Sequence, residues 1–196
     1  GGGWIPALLA LVMGIALTGA FHEDGLADTA DGLGGGQTPA RRLEIMRDSR
    51  VGTYGVIALG LVLALKAAAL AQMPPAAAAL ALISAHGLGR GASVLAMRLS
   101  PYAPDASGGK WKPMPQGVSR GEALSALFLA VWPLPFLVVL VGPAGPFAAV
   151  LTGLALAALL LSLARRLIGG HTGDVLGAVE QLFEAGFLLA LAASLS

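Results

Sequence analysis

Three aspartates in one polar stretch carry the first chemical signal in this chain. The run reads Phe21-His22-Glu23-Asp24-Gly25-Leu26-Ala27-Asp28-Thr29-Ala30-Asp31-Gly32. On a helix, Asp24, Asp28 and Asp31 stand at i, i+4 and i+7, within an arc of roughly 60°. Like charges on one face repel one another unless a cation sits among them. Hard carboxylate oxygens, in a chain with no cysteine, suit Mg²⁺ or Mn²⁺. Asp48 is a fourth carboxylate for the metal cluster, or a base. Gly34-Gly35-Gly36-Gln37 then offers free amides for a phosphate nest or a simple hinge. It is followed by Arg41-Arg42-Leu43-Glu44-Ile45-Met46-Arg47-Asp48-Ser49-Arg50. Guanidinium groups match phosphate oxygens two at a time. An acidic cluster beside Arg42, Arg47 and Arg50 therefore suggests a metal-bound di- or polyphosphate. The plainer reading of the aspartates is a solvated helix end, but they directly abut an apolar run, where idle charge is costly.

A second set of ionisable residues lies inside apolar runs: Lys66, His86, Arg90, Glu180 and Glu184. Such groups usually line a cavity or pair with each other. Lys66, near the end of its run, could instead snorkel to the interface. His86 and Arg90 share a helix face around Gly87-Leu88-Gly89-Arg90-Gly91, a run suited to admit a phosphate or ribose at Arg90. His86 reads as a hydrogen-bonded packing residue and is left out of catalysis. Asp174, Gly177, Gln181 and Glu184 fall within roughly 80° of one another, with Glu180 beside them. Together with Gly173 they form a second polar wall. Capping of a helix by Thr172 or Asp174 accounts for Asp174 but not for Glu180 and Glu184.

The elements that must hold these residues follow from composition. Of 196 residues, 56% are hydrophobic and 12% are charged, about half the charged share of a soluble domain. Six apolar blocks appear: Trp4–Phe21, Val51–Met73, Pro75–Met97, Ala123–Val141, Phe147–Ala164 and Val175–Leu195. Each is about the ~20 residues a helix needs to cross a bilayer. Their lack of alternating polarity excludes a barrel. The expected fold is an all-α, polytopic integral membrane bundle of about six transmembrane helices, forming a single domain over 1–196. Met73-Pro74-Pro75 and Gly142-Pro143-Ala144-Gly145-Pro146 break helices on one side. Ten of the twelve basic residues fall in the three polar segments on the other side, which the positive-inside rule makes cytoplasmic. A net charge of +1 gives no reason to expect nucleic acid. Pro104–Gly121, with Trp111, Lys110 and Lys112, reads as a lid or a connector. The opening Gly1-Gly2-Gly3 suggests a fragment of a longer chain.

Asp28-Thr29-Ala30-Asp31-Gly32 partly resembles the opening motif of the CDP-alcohol phosphotransferases, whose remaining signature is absent. A longer resemblance covers nearly the whole chain. Asp24-Gly25-Leu26-Ala27-Asp28-Thr29, Leu43-Glu44-Ile45-Met46-Arg47-Asp48-Ser49-Arg50-Val51-Gly52-Thr53, Lys66, Arg90-Gly91 and Gly169-Gly170-His171-Thr172-Gly173-Asp174-Val175-Leu176-Gly177-Ala178 with Glu180 resemble the cobalamin synthase (adenosylcobinamide-GDP ribazoletransferase) family. Glu23 departs from the pattern, standing where an apolar residue is expected. The family's first helix and its Pro-containing loop have no counterpart here.

The resemblance implies a Mg²⁺-dependent transferase of the cytoplasmic (inner) membrane, with its active-site loops on the cytoplasmic side. Its substrates would be adenosylcobinamide-GDP and α-ribazole or the 5′-phosphate, with GMP released late in vitamin B12 assembly. Asp24, Asp28, Asp31 and Asp48 would hold metal, and Asp48 or Asp31 would accept the hydroxyl proton. Arg42, Arg47, Arg50, Arg90, Lys66, Asp174 and Glu180 would hold substrate. The lipid bilayer is the expected surrounding, and homo-oligomerisation stays open. The alternatives are a lipid enzyme of the CDP-alcohol type and a cation-coupled transporter using Glu180, Glu184, Lys66 and Arg90. Transporters, however, place their sites at the midplane, often between inverted repeats, and no repeat is visible.

Overall fold

A computed structural model describes residues 3–103 and 118–195. Lys110, Trp111 and Lys112, and with them most of the segment read as a lid or connector, lie outside the described residues. Nine helices form among the described residues: α1 (Trp4–Thr18), α2 (Phe21–Gly35), α3 (Pro39–Met46), α4 (Thr53–Gln72), α5 (Pro75–Leu99), α6 (Arg120–Val131), α7 (Leu134–Val141), α8 (Ala144–Ile168) and α9 (Gly173–Leu195). Five spans are long and apolar enough to cross a membrane: α4, α5, α6 with α7 as one, α8 and α9. A sixth is formed if α1 and α2 are taken together. The fold is thus the expected all-α, multi-pass membrane bundle.

Two boundaries differ from the sequence reading. The fourth block is broken at Trp132-Pro133, because Pro133 has no N–H to continue the helix. The first span is the larger correction. Its 15 residues in α1 reach only about 22 Å at ~1.5 Å per residue, short of the hydrocarbon core. At Gly19 (φ 66°) and Ala20 (φ 59°) the backbone turns left-handed, and α2 leaves at 90° to α1. The aspartate segment is therefore a helix packed inside the bundle, where a polar segment outside the spans was expected.

Small residues let α2 in. A Cβ on Gly25 would lie 2.8 Å from the Asp174 carbonyl oxygen, and one on Gly177 would lie 3.2 Å from His22 Cα. The two glycines thus form the crossing of α2 and α9. The end of α2 meets the start of α4, where Asp31 contacts Gly52 and Gly55. Its first turn reaches Lys66, deeper in α4, through Gln181. The two helices therefore run in opposite directions.

Helix α9 is the core of the bundle, with 83% of its apolar window enclosed against 17–44% for the other full spans. Phe183, Phe187, Leu188 and Leu191 on α9 are fully buried. Large side chains on the outer faces of α1, α4, α6, α7 and α8, such as Leu17, Leu61, Phe128, Val139 and Leu159, stay exposed, as a lipid-facing surface requires. On the charged side, Thr38 caps α3, whose first residue is Pro39. The chain after α5 joins the α8–α9 link through Ala103 N–H donating to the His171 carbonyl and His171 N–H to that of Pro101.

Candidate active site

The polar side chains form two zones. The inner one surrounds the middle of α9. Glu184, fully buried, accepts from Lys66 Nζ at 2.5 Å on one oxygen and sits 2.6 Å from His86 Nδ1 on the other. One turn earlier, Glu180 lies 3.0 Å from His22 Nε2 and 3.2 Å from Arg90 Nη1. Its Oε1 has no aligned hydrogen-bond donor, so the Arg90 contact is an ion pair without a formed hydrogen bond. Gln181 accepts from Lys66 at 3.0 Å and donates to Glu23 at 3.1 Å. Helices α2, α4 and α5 are thereby tied to α9 through charge. Lys66 is 1% exposed, so it does not snorkel. It pairs, as does His86, and Glu23 acquires a role despite standing off the sequence pattern.

One atom each from His86, Glu180 and Glu184 lies within 4.8 Å of the others, and this trio is able to hold a divalent ion. Its charge balance argues against one. Both carboxylates already face cations, Lys66 and Arg90, and a divalent ion would have to displace them.

The outer zone lies on the opposite flank of α2. Asp28 is close enough to Asp24, Asp174 and Asp31 for the four charges to interact, and Asp174 feels Asp24 in turn. Among the described residues, no cation lies in ion-pair range of Asp24, Asp28 or Asp174. Thr172 caps α9 by accepting from Val175 N–H at 3.2 Å and donates weakly to Asp174 Oδ2. Capping therefore falls to Thr172, and Asp174 turns to the aspartates of α2.

Asp31 is placed differently. Its oxygens accept from Gly52 N–H at 2.6 Å and Gly55 N–H at 2.9 Å, satisfying amides that the start of α4 leaves open. A Cβ on Gly55 would overlap the same carboxylate. Beyond it a cavity of about 430 Å³ is lined by Asp31, Asp48, Arg50, Thr53 and Tyr54 among others. Arg50 grips both oxygens of Asp48. That grip holds the Asp48 carboxyl down to about 2.

The sequence quartet Asp24, Asp28, Asp31 and Asp48 is therefore divided. Asp24 and Asp28 form one cluster with Asp174, and Asp31 and Asp48 border the cavity next to it. Arg42 bends to the end of α8, where its Nη1 donates to the Leu167 carbonyl at 3.4 Å. Sequence reasoning missed Asp174 as a member of the aspartate cluster, and His22 and Glu23 as partners of α9. The Gly25–Gly177 pair was the available signal, since two glycines in polar helices mark a close crossing.

This geometry can be set against known proteins. A family model described as cobalamin-5-phosphate synthase matches residues 2–192. The chain belongs to that family. An adenosylcobinamide-GDP ribazoletransferase of Azorhizobium caulinodans is 44% identical over 194 residues, covering 94% of this chain and 70% of the relative. That of Bradyrhizobium diazoefficiens is 47% identical over 193 residues, covering 96% and 71%. That of Shewanella frigidimarina is 41% identical over 196 residues, covering 98% and 74%. No solved structure matches. Family membership sets aside the CDP-alcohol and transporter readings, and the charges of the inner zone close on one another as internal pairs.

Proposed function

We propose that this chain transfers the phosphate-bearing corrinoid group of adenosylcobinamide-GDP to α-ribazole or its 5′-phosphate. GMP is released, and adenosylcobalamin or its 5′-phosphate is formed. A ribazole hydroxyl attacks the phosphorus that carries the corrinoid side chain, the bond from that phosphorus to the GMP oxygen breaks, and the hydroxyl proton passes to a carboxylate. What supports this reading, beside the relatives' shared activity, is one observation. Asp24, Asp28 and Asp174 lie within electrostatic reach of one another at the charged end of an apolar bundle, and among the described residues no cation pairs with them. An all-oxygen, unneutralised donor set of this kind fits Mg²⁺; Asp31 and Asp48 are next in reach. When bound, the ion supplies charge neutralisation to the diphosphate and the leaving group.

The chain's own residues do the rest. Arg50, aligned by Asp48, and Arg47 present guanidinium groups to the phosphates. Asp31 is the candidate retained for the proton, because a carboxyl held as low as that of Asp48 is a weak acceptor. Lys66, Arg90 and Glu180 fix α2, α4 and α5 around α9, and Arg90, partly exposed, is the inner residue placed to reach substrate. The positive-inside rule puts this end of the bundle in the cytoplasm. Mg²⁺-dependent release of GMP from adenosylcobinamide-GDP, conditional on added ribazole, tests the proposal. GMP release independent of ribazole contradicts it.

A further inference from the structure

A glycine on α2 stands directly against the backbone of a candidate metal ligand on α9. A Cβ on Gly25 would lie 2.8 Å from the Asp174 carbonyl oxygen and 3.1 Å from the Asp174 Cα. Both neighbours are main chain, which cannot swing aside as the tip of a side chain can. Further along α9, a Cβ on Gly177 would lie 3.2 Å from the Cα and the carbonyl oxygen of His22. Gly25 directly follows Asp24, and Asp28 stands three residues on, so this contact lies among the outer aspartates. Asp24, Asp28 and Asp174 are within electrostatic reach of one another, and their like charges push α2 and α9 apart. Two sets of contacts oppose that push. Deeper in the bundle, His22 lies 3.0 Å from Glu180, and Gln181 donates to Glu23 at 3.1 Å. From α5, Ser93 Oγ donates to the Leu176 carbonyl at 2.8 Å, and His171 N–H donates to the Pro101 carbonyl. The start of α9 is thus held against α2, at a separation that the missing side chain of Gly25 permits.

We propose that Gly25 determines which ion the aspartate site prefers: by letting the α9 backbone meet α2, it keeps Asp174 near enough to Asp24 and Asp28 to favour Mg²⁺ over Ca²⁺. This rests on the metal reading above. Mg²⁺ demands octahedral oxygen ligands at about 2.0–2.1 Å, whereas Ca²⁺ accepts about 2.3–2.6 Å in a flexible shell. A methyl group at Gly25 forces the Asp174 backbone away from α2 and widens the donor set. Widening costs the smaller ion more. Gly25 is a positioning residue, acting through Asp174 and touching neither ion nor substrate.

The test is Mn²⁺ binding to the chain in lipid nanodiscs, read by electron paramagnetic resonance, with Mg²⁺ and Ca²⁺ as competitors and no substrate present. In the unaltered chain Mg²⁺ is expected to displace Mn²⁺ better than Ca²⁺ does, and Asp28→Asn to remove the bound Mn²⁺. Gly25→Ala is expected to weaken Mg²⁺ about tenfold and Ca²⁺ by clearly less, so that the preference narrows or reverses. Gly177→Ala, whose methyl is less crowded, shifts the ratio the same way by a smaller factor, and it decides the matter if Gly25→Ala does not fold. Gly153→Ala supplies the comparison for a merely structural effect. Its Cβ would lie 2.9 Å from the Phe183 carbonyl oxygen, at the contact of α8 with α9, so it loosens the bundle and leaves the ratio unchanged. An unchanged ratio in a folded Gly25→Ala or Gly177→Ala protein, or an equal shift in Gly153→Ala, overturns the proposal and leaves the metal site standing. Mn²⁺ binding that survives Asp28→Asn overturns the metal reading itself, and this proposal with it.

Discussion

Lys66 and Glu184, 118 residues apart in sequence, meet as a direct ion pair at 2.5 Å with neither side chain more than 2% exposed. The pair joins α4 to α9 inside the apolar bundle, where neither charge can be left alone. Removing one partner strands the other, at a cost of about 3–5 kcal/mol. Lys66→Met is therefore expected to lower the unfolding temperature in nanodiscs sharply, and Lys66→Met with Glu184→Leu to recover most of the loss. A double variant as unstable as the single one would show that the pair is not what the helices need.

The start of α4 gives a test in which the sign matters. In an ordinary helix Gly→Ala stabilises by about 1 kcal/mol. At Gly55 the added methyl meets the carboxylate of Asp31 that the Gly55 amide holds. Gly55→Ala should instead destabilise by about 1–3 kcal/mol and reduce turnover. Chemical denaturation read by helical circular dichroism checks the first, and GMP release the second. A more stable Gly55→Ala protein would contradict the placement of Asp31.

The hydrogen bonds from Arg50 hold the Asp48 carboxyl down to about 2, below the ordinary aspartate value of about 3.9. A depressed group stays ionised until pH falls through its folded value. Asp48 thus keeps its charge throughout the range in which the enzyme is assayed. The acid limb of kcat/KM between pH 4 and 7 must then belong to other carboxylates, and Asp48→Asn is expected to lower the rate without moving that limb. A limb that shifts in Asp48→Asn would show that Asp48 titrates during turnover.

The spans were largely legible in the sequence because lipid imposes length and apolarity on each block separately, and α4, α5, α8 and α9 follow from that. The bend after Thr18 was not legible. Trp4–Phe21 satisfies the length rule, and only the left-handed backbone at Gly19 and Ala20 shows that the chain turns by 90° there and carries the aspartates into the bundle on a second helix. The helical spacing of Asp24, Asp28 and Asp31 was correct, but spacing on one helix cannot show what approaches it. Asp31 is claimed by the amides of α4, and Asp174 arrives from 146 residues later to join Asp24 and Asp28. Similarly, Lys66 could not be told from a snorkelling lysine until Glu184 and Gln181 were seen beside it.

The central claim is that Asp24 and Asp28, with Asp174, hold the divalent ion on which transfer depends. The most direct measurement is a Mg²⁺ titration of GMP release from adenosylcobinamide-GDP and α-ribazole, comparing the unaltered chain with Asp28→Asn in the same membranes. The account predicts saturable Mg²⁺ activation in the first, and a loss of at least about a hundredfold with a rightward-shifted metal requirement in the second. A correctly inserted Asp28→Asn protein with the same Mg²⁺ response and turnover would contradict it.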